Sequence, residues 1–450
     1  MATPYDVIIV GGRPAGASLA ARLGQQGRRV LVLERAELPS LPNVPSCPTL
    51  HMGTLKLLDE LGIDEAAYGK DAVRFEQIAV QFGAWFTSRF SFPTVHGRTF
   101  GYSIERAPFD LTLWEHLARY PSVTRRRFTV TALVKDAAGA VIGVQGHGPR
   151  SGEGESGEGE RGEDERIEAP WVVGADGRFS FVAREAGAKV VEEAAEKVST
   201  VYFTEWEGLA PLAPGMAPLL HIYTTGRGLN VLMFPLPGNR TTLCLHQRAD
   251  RVDIQGDAEA YYERTLRGIP AIAARLQDAR RVGRVIGLKR VGNGYREAGG
   301  RGWLLVGDAL HYKDPVDGQG IYDALIETRI LAEELERWFA GGVPVDAVAP
   351  AYERRTRQTT HPMYRATVKR IADELYTEPP VPIIRTLIRW MLHDPVYQAR
   401  FLRFLGRDLD PATWMPPGVV AGIVARGIWS DVRRLFGRPS PAIPGPVAGT

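Results

Sequence analysis

The run from Tyr5 to Val10 (YDVIIV) enters a tight glycine turn, Gly11-Gly12-Arg13-Pro14-Ala15-Gly16, with no spacer. A helical pattern continues to Gln26, Gly27 stops it, and residues 29–34 (RVLVLE) form a second apolar run. Strand, helix and strand within about the first 35 residues are the size of one β-α-β unit. Such a unit joins parallel strands through a right-handed crossover, which commits the chain to an open α/β sheet. The turn also fixes a chemistry. Its glycines bring a helix N-terminus close to a phosphate, where free N–H groups and the helix dipole favour an anion. Gly11, Gly12, Arg13, Ala15 and Gly16 are therefore candidate contacts to a pyrophosphate. Glu34, with Arg35 beside it, ends the second strand, where a carboxylate accepts hydrogen bonds from a ribose diol. Arg13 stands where a second glycine normally admits the phosphate. This turn alone points to a dinucleotide without choosing between NAD and FAD.

Two later segments have the same strand-to-turn character. Residues 172–184 (VVGADGRFSFVAR) read as a strand ending at Gly174, with Asp176-Gly177 turning into a helix. Residues 303–325 (WLLVGDALHYKDPVDGQGIYDAL) read as a strand ending on Gly307-Asp308, an irregular stretch with Pro315, and a helix opened by Gly318, Gln319 and Gly320. An aspartate at a strand end can bind sugar or ribityl hydroxyls. A glycine-opened helix can aim its positive end at a ring system that is anionic when reduced.

In this order, the glycine turn, GADGRFS and GDALHYKDPVDGQG resemble the three fingerprints of the aromatic-hydroxylase-type (group A) FAD-dependent monooxygenases. The variants GGRPAG and HYKDP are similar to a branch with geranylgeranyl-reductase-like features. The resemblance covers roughly residues 5–370. It implies a Rossmann-like FAD-binding domain interleaved with a mixed β-sheet substrate domain, plus a helical C-terminal region. The expected FAD-binding parts are residues 1–72, 100–190 and 283–375. The expected substrate parts are 73–99 and 191–282, and 376–450 is the helical remainder. By the same resemblance Gly11, Gly12 and Gly16 lie at the pyrophosphate, Glu34 at the adenosine ribose and Val130 near adenine. Arg106 meets the flavin side, Asp308 holds the ribityl chain, and Gly318 to Gly320 face the pyrimidine edge. Asp176 and Gly177 serve the flavin and a transiently docked NAD(P)H. The implied reaction is hydroxylation or epoxidation of a small apolar or aromatic compound with O2, through a flavin hydroperoxide. The alternatives are a reductase of the geranylgeranyl-reductase type acting on an isoprenoid or lipid-like substrate, and a non-catalytic carrier retaining the fold.

The rest of the chain supplies walls and candidate polar groups. Residues 73–92 and 196–248 alternate as strands and are rich in aromatics. Trp85, Phe86, Phe90, Phe92, Phe203 and Trp206, together with the substrate candidates Tyr202, His221, Tyr223 and Phe234, lie on these strands. They could wall a dry chamber, or simply fill a sheet core. Residues 129–134 and 140–145 read as a hairpin, and residues 257–267 and 319–339 as helices. His311, Lys313 and Pro315 are the catalytic candidates beside the flavin. His311 could relay a proton or only brace the turn; Lys313 could stabilise an anion or only pair with Asp314. His51 reads as structural, and Cys47 lacks an assignable base. Residues 148–166 are so rich in glycine and glutamate that a disordered loop is expected.

Several classes are excluded. Histidines are scattered and no H-x-x-x-H or C-x-x-C spacing occurs, so no metal site is expected. There is no G-x-S-x-G elbow and no W-x-W-x-I-P halogenase signature. A net charge of +3 gives no reason to expect nucleic acid. Two cysteines, Cys47 and Cys244, fit a cytoplasmic location better than a disulfide scaffold. No apolar stretch approaches the roughly 18 residues of a spanning helix. Residues 381–405 and 418–436 mix arginines with apolar residues. Packing against the FAD domain is expected of them ahead of peripheral membrane contact.

Overall fold

The computed structural model of the chain describes residues 4–42, 46–149, 162–378 and 380–436. The two opening runs are the strands Val7–Val10 and Val30–Glu34, joined by the helix Pro14–Gln25. They are almost wholly buried because a parallel sheet carries a layer on each face, which is why the runs read as continuously apolar. Four more strands complete this sheet, in the order Gly299–Gly300, Trp303–Leu305, Trp171–Gly174, Val7–Val10, Val30–Glu34 and Val123–Arg127. All neighbours are parallel except the short edge pair Gly299–Gly300 with Trp303–Leu305. The long helix Gly320–Phe339 packs beside Pro14–Gln25 on this sheet.

A nine-stranded sheet forms the second layer. Its main path runs His311–Tyr312, Ile286–Arg296, Val190–Glu207, Arg240–Arg248, Leu229–Leu236, Leu220–Thr224, Gln77–Phe82 and Phe86–Ser91. One face carries the helices Ala258–Arg267 and Pro270–Ala273, packed on Trp206, Tyr223, Val231 and Leu245. The other face holds Phe90, Leu220, Leu232 and Phe234. It is covered in part by the helix Pro395–Leu405 through Tyr397, Phe401, Leu402 and Phe404. The fold is thus mixed α/β, with a Rossmann-like layer, a large mixed sheet and a helical C-terminal region.

The structure corrects several sequence expectations. No element was expected between residues 340 and 374, yet the helix Val345–Ile371 spans 27 residues with Pro350 and Pro362 inside it. Proline removes a helix N–H and normally ends a helix; here buried Val348, Tyr352, Met363, Tyr364 and Ile371 anchor both sides of each proline. The C-terminal region packs mainly on the large sheet rather than on the Rossmann-like layer. The strand Glu165–Glu168 takes the last residues of the glycine- and glutamate-rich loop, pairing with Val141–His147. Residues 150–161 of that loop lie outside the described residues. Among the described residues no helix is long and apolar enough to cross a membrane.

Ile8 is fully buried at the centre of the Rossmann-like sheet. Ile8→Ala is expected to lower stability by about 2–5 kcal/mol, read from the urea unfolding midpoint.

Candidate functional site

A cleft of about 560 Å³ opens where the parallel strands end. Ligands of open α/β sheets sit at this carboxyl end because loops diverge there. The first turn supplies Gly11, Arg13, Pro14 and Ala15; the strand end adds Glu34 and Arg35. Val130, Asp176, Gly177, Asp308, His311, Lys313, Asp314, Pro315 and Gly320 complete much of the wall. Gly11 has φ +105°, and a Cβ on it would stand 2.4 Å from the Ala175 carbonyl oxygen. Side chains are therefore forbidden where the first two segments touch. No side chain caps the helix Pro14–Gln25, so its first-turn N–H groups remain available at the cleft.

Four of the cofactor-binding candidates do not line the cleft. Gly12 packs under Trp114 and donates its N–H to Glu34 Oε2 at 2.8 Å. Gly16 packs against the turn itself, and Gly318 against Thr49 and Cys47. Gln319 is buried, donating to the Leu405 carbonyl at 3.0 Å and accepting from Arg407 Nε at 2.8 Å. These four shape the cleft from behind.

Arg13 is accommodated because its side chain is tied along the wall. Its Nη1 donates to Asp110 Oδ2 at 2.7 Å and to the Ser40 carbonyl at 2.8 Å. Arg106 grips the same carboxylate, with Nη2 at 3.0 Å from Oδ1, and donates to Ser46 Oγ. Asp110 is fully buried between the two guanidiniums. Sequence reasoning missed it. The signal was its place four residues beyond Arg106 on a helix, between the buried Phe109 and Leu113.

Asp176 accepts from Ser180 Oγ at 2.5 Å and from the Val182 N–H at 3.0 Å, so it starts the helix Phe181–Ala186. Arg178 reaches across to the third segment, donating to the Lys313 carbonyl at 2.6 Å. Asp308 differs from both. Its carboxylate lines the cleft with no protein donor or ion-pair partner among the described residues. Burial pushes its carboxyl up, against the pull of Arg178, Lys313 and Arg106.

His311 and Lys313 are less free than their position suggests. His311 stacks on Tyr295 at 4.2 Å between ring centroids, and its Nδ1 lies 3.3 Å from Glu327 Oε1. Burial pushes the imidazole down to about 3, so the ring is neutral near pH 7. Lys313 pairs with Asp323, not with its neighbour Asp314, and Asp323 also takes Arg407. Asp314 instead accepts from the Val316 N–H at 2.9 Å, from Ser199 Oγ, and faces His246 Nε2 at 3.3 Å. Burial pushes the Cys47 thiol up to about 12, which leaves no thiolate for attack. No cluster suited to a metal ion occurs among the described residues.

A second, small cavity of about 20 Å³ lies between the third segment and the large sheet. Ser46, Cys47 and Pro315 line both spaces. Its other walls include Val201, Phe203, Leu232, Phe234, Cys244 and His246. Of the four substrate candidates only Phe234 is here. Tyr202 and Tyr223 point to the opposite face, in the core beneath the helix Ala258–Arg267. His221 also faces away, accepting from Arg275 Nη1 at 2.8 Å. Both faces of this sheet are buried, so apolar alternation does not reveal which face meets the cleft.

The cleft fits a flavin dinucleotide. It offers an uncapped helix N-terminus for the pyrophosphate, a carboxylate at each of two strand ends, and open space in front of Gly320.

Comparison with known proteins agrees with this fit. The family model described as an FAD binding domain matches residues 4–366. The chain is 27% identical over 360 residues to a ubiquinone hydroxylase from Rhodospirillum rubrum, covering 77% of this chain and 75% of that protein. It is 25% identical over 374 residues to a digeranylgeranylglycerophospholipid reductase from Methanosarcina acetivorans, covering 79% and 81%. In fold it is similar to a flavin-dependent brominase, with a TM-score of 0.72 and 18% identity over 95% of this chain and 99% of that one.

Two outcomes are expected. Asp110→Ala leaves two largely buried guanidiniums facing each other and lowers stability by about 3 kcal/mol, measured by denaturant unfolding. His51, His221 and His311 are held neutral by burial, with pKa values pushed down to about 4, 3 and 3. Their folded values lie below the unfolded value of about 6.5, so protons bind preferentially to the unfolded chain. Their contribution is complete above about pH 6.5 and lost as pH falls towards 3. Stability measured across that range falls with acid, and His51→Phe flattens the fall.

Proposed function

The chain belongs to the FAD binding domain family and is an FAD-binding oxidoreductase, and on that premise we propose that it is a monooxygenase acting on a small apolar or aromatic compound, with O2 as co-substrate and NAD(P)H as a transient reductant. The observation that carries this reading is the apolar cavity sharing Ser46, Cys47 and Pro315 with the cleft. In this reading a reacting group placed at that shared wall faces a small apolar space walled by Phe203, Leu232 and Phe234, which holds one water as it stands and widens to admit a substrate away from bulk water.

FAD supplies the redox chemistry when bound; the chain binds, orients and keeps the site dry. In this reading the first turn of Pro14–Gln25 takes the pyrophosphate, with Arg13 folded aside onto Asp110. Glu34 and Val130 take the adenosine end, and Asp308 the ribityl hydroxyls. The N-terminus of Gly320–Phe339 has no side-chain cap, so it places positive potential at the ring's pyrimidine edge. Arg106, fixed by Asp110 and Ser46, adds charge on the opposite wall. His311 stays neutral and braces the third segment, and Lys313 offers a positive field tempered by Asp323.

A reductase reading is favoured by the likeness to the digeranylgeranylglycerophospholipid reductase. The two separate on the fate of oxygen. Protein loaded with FAD is mixed with NADH or NADPH, ¹⁸O2 and a panel of apolar and aromatic compounds, and the products are examined by mass spectrometry. Substrate-stimulated NAD(P)H oxidation with one ¹⁸O atom in the product is expected. Substrate-coupled NAD(P)H oxidation under anaerobic conditions, giving a saturated product, would replace the monooxygenase with the reductase.

A further inference from the structure

The chain has two cysteines, and both line the same small cavity. They come from distant segments. Cys47 precedes the short strand Thr49–Leu50, and Cys244 lies on the strand Arg240–Arg248 of the large sheet. Cys244 pairs with Phe203 on one neighbouring strand and with Leu232 on the other. Both of those residues also line the cavity, so Cys244 sits in the middle of its floor. Ser46, Cys47 and Pro48 cover that floor together with Pro315 and Val316. Both thiols are free and keep part of their surface open. The space between these walls is about 20 Å³, room for one water.

A base lines the same space. His246 follows Cys244 by two residues on one strand, so both side chains leave the same face of the sheet. Its Nε2 lies 3.3 Å from Asp314 Oδ2. Burial pushes the Asp314 carboxyl up, but the His246 and Ser199 contacts outweigh burial and hold it below its usual range. An ionised carboxylate only accepts, so the neutral ring carries its proton on Nε2 and a bare lone pair on Nδ1. That Nδ1 is buried without a hydrogen-bond partner. A histidine oriented by a carboxylate, with its other nitrogen unclaimed, can take the proton of a neighbouring thiol. Burial pushes both thiols up and disfavours a free thiolate, so attack by either sulfur needs such a base in the same space.

We propose that Cys244 and Cys47 form a peroxide-reactive dithiol, with His246 as the base and Cys47 as the resolving thiol. Hydrogen peroxide is the oxidant that suits so small a space. Cys244 gives its proton to His246 Nδ1 as its sulfur attacks one peroxide oxygen. The O–O bond breaks, an S–O bond forms, and the departing hydroxide takes the proton back from the imidazolium and leaves as water. The Cys47 sulfur then attacks the sulfenic sulfur. The S–O bond breaks, the S–S bond forms, and hydroxide leaves with the Cys47 proton as a second water. Each sulfur is oxidised by one electron and the peroxide is reduced by two. The new bond closes the space and ties the Ser46–Cys47 wall, which the cavity shares with the cleft, to the large sheet. The reaction needs no flavin and stands apart from the monooxygenase reading.

The full chain is reduced, freed of reductant and exposed to hydrogen peroxide, with free cysteine oxidised alongside as the reference. The expected product has lost both titratable thiols and has an intact mass lower by two hydrogens. It yields a peptide linked through Cys47 and Cys244 on digestion, and dithiothreitol restores both thiols. Cys47→Ser is expected to stop at a sulfenic acid on Cys244 that dimedone traps. Cys244→Ser is expected to keep its Cys47 thiol through the same exposure. His246→Leu is expected to lose its thiols about a hundredfold more slowly, as removal of a general base does. Circular dichroism checks the folding of each variant. The two serine variants change one atom each and decide the outcome if His246→Leu does not fold. Thiols that persist through an exposure that consumes free cysteine overturn the proposal, as do disulfides formed between chains. Equal oxidation of Cys47 in Cys244→Ser, or a folded His246→Leu that reacts at the wild-type rate, overturns it as well.

Discussion

A single backbone contact sets the geometry of the site. A Cβ on Gly16 would stand 1.8 Å from the Gly11 carbonyl oxygen, so only glycine lets the helix Pro14–Gln25 lie this close to the turn that precedes it. That closeness puts the helix N-terminus directly over the end of the first strand. The Gly11–Ala175 contact then brings the second segment against the same turn. Gly307 of the third segment closes on Ala15, where a Cβ would come within 2.9 Å. Three segments distant in sequence are thus stacked by contacts that admit no side chain, and the cleft is the space they enclose.

Charge fixes what the backbone contacts leave loose. Three buried aspartates act as nodes. Asp110 joins the first turn to the Arg106 helix, Asp323 joins Lys313 to the C-terminal Arg407, and Asp314 joins the third segment to the large sheet through Ser199 and His246. Each carries partners enough to offset its burial, and removing one partner would strand a charge. The nodes lie around the cleft, so the same interactions that hold the layers together orient its polar groups. His311 and Lys313 are catalytic candidates in sequence and Arg13 a candidate cofactor contact, but each has a protein partner here.

Much of the fold was legible because it depends on local rules. Strand runs, the glycine turn and the Asp308 segment follow from periodicity and from where glycine is required. The errors came from non-local choices. Tyr202, His221 and Tyr223, read as substrate candidates, lie on the face away from the cavity of a sheet buried on both sides, while Val201, Phe203 and Cys244 meet the cavity. The partner of Lys313 lies a helical turn inside the next helix rather than next to it. Pro350 and Pro362 hid a long helix that tertiary packing sustains. Asp110 and His246 gave no motif, because their meaning arises only when distant segments meet.

In the proposed reading, stacking at Gly16 creates a binding site for one FAD. Titration of the purified chain with FAD, followed by flavin fluorescence beside a Gly16→Val variant, tests it most directly. Saturation at one FAD per chain in the wild type, with loss of binding in Gly16→Val, is the result that follows from this geometry. A wild type that does not bind FAD, or a variant that binds it equally tightly, would contradict it.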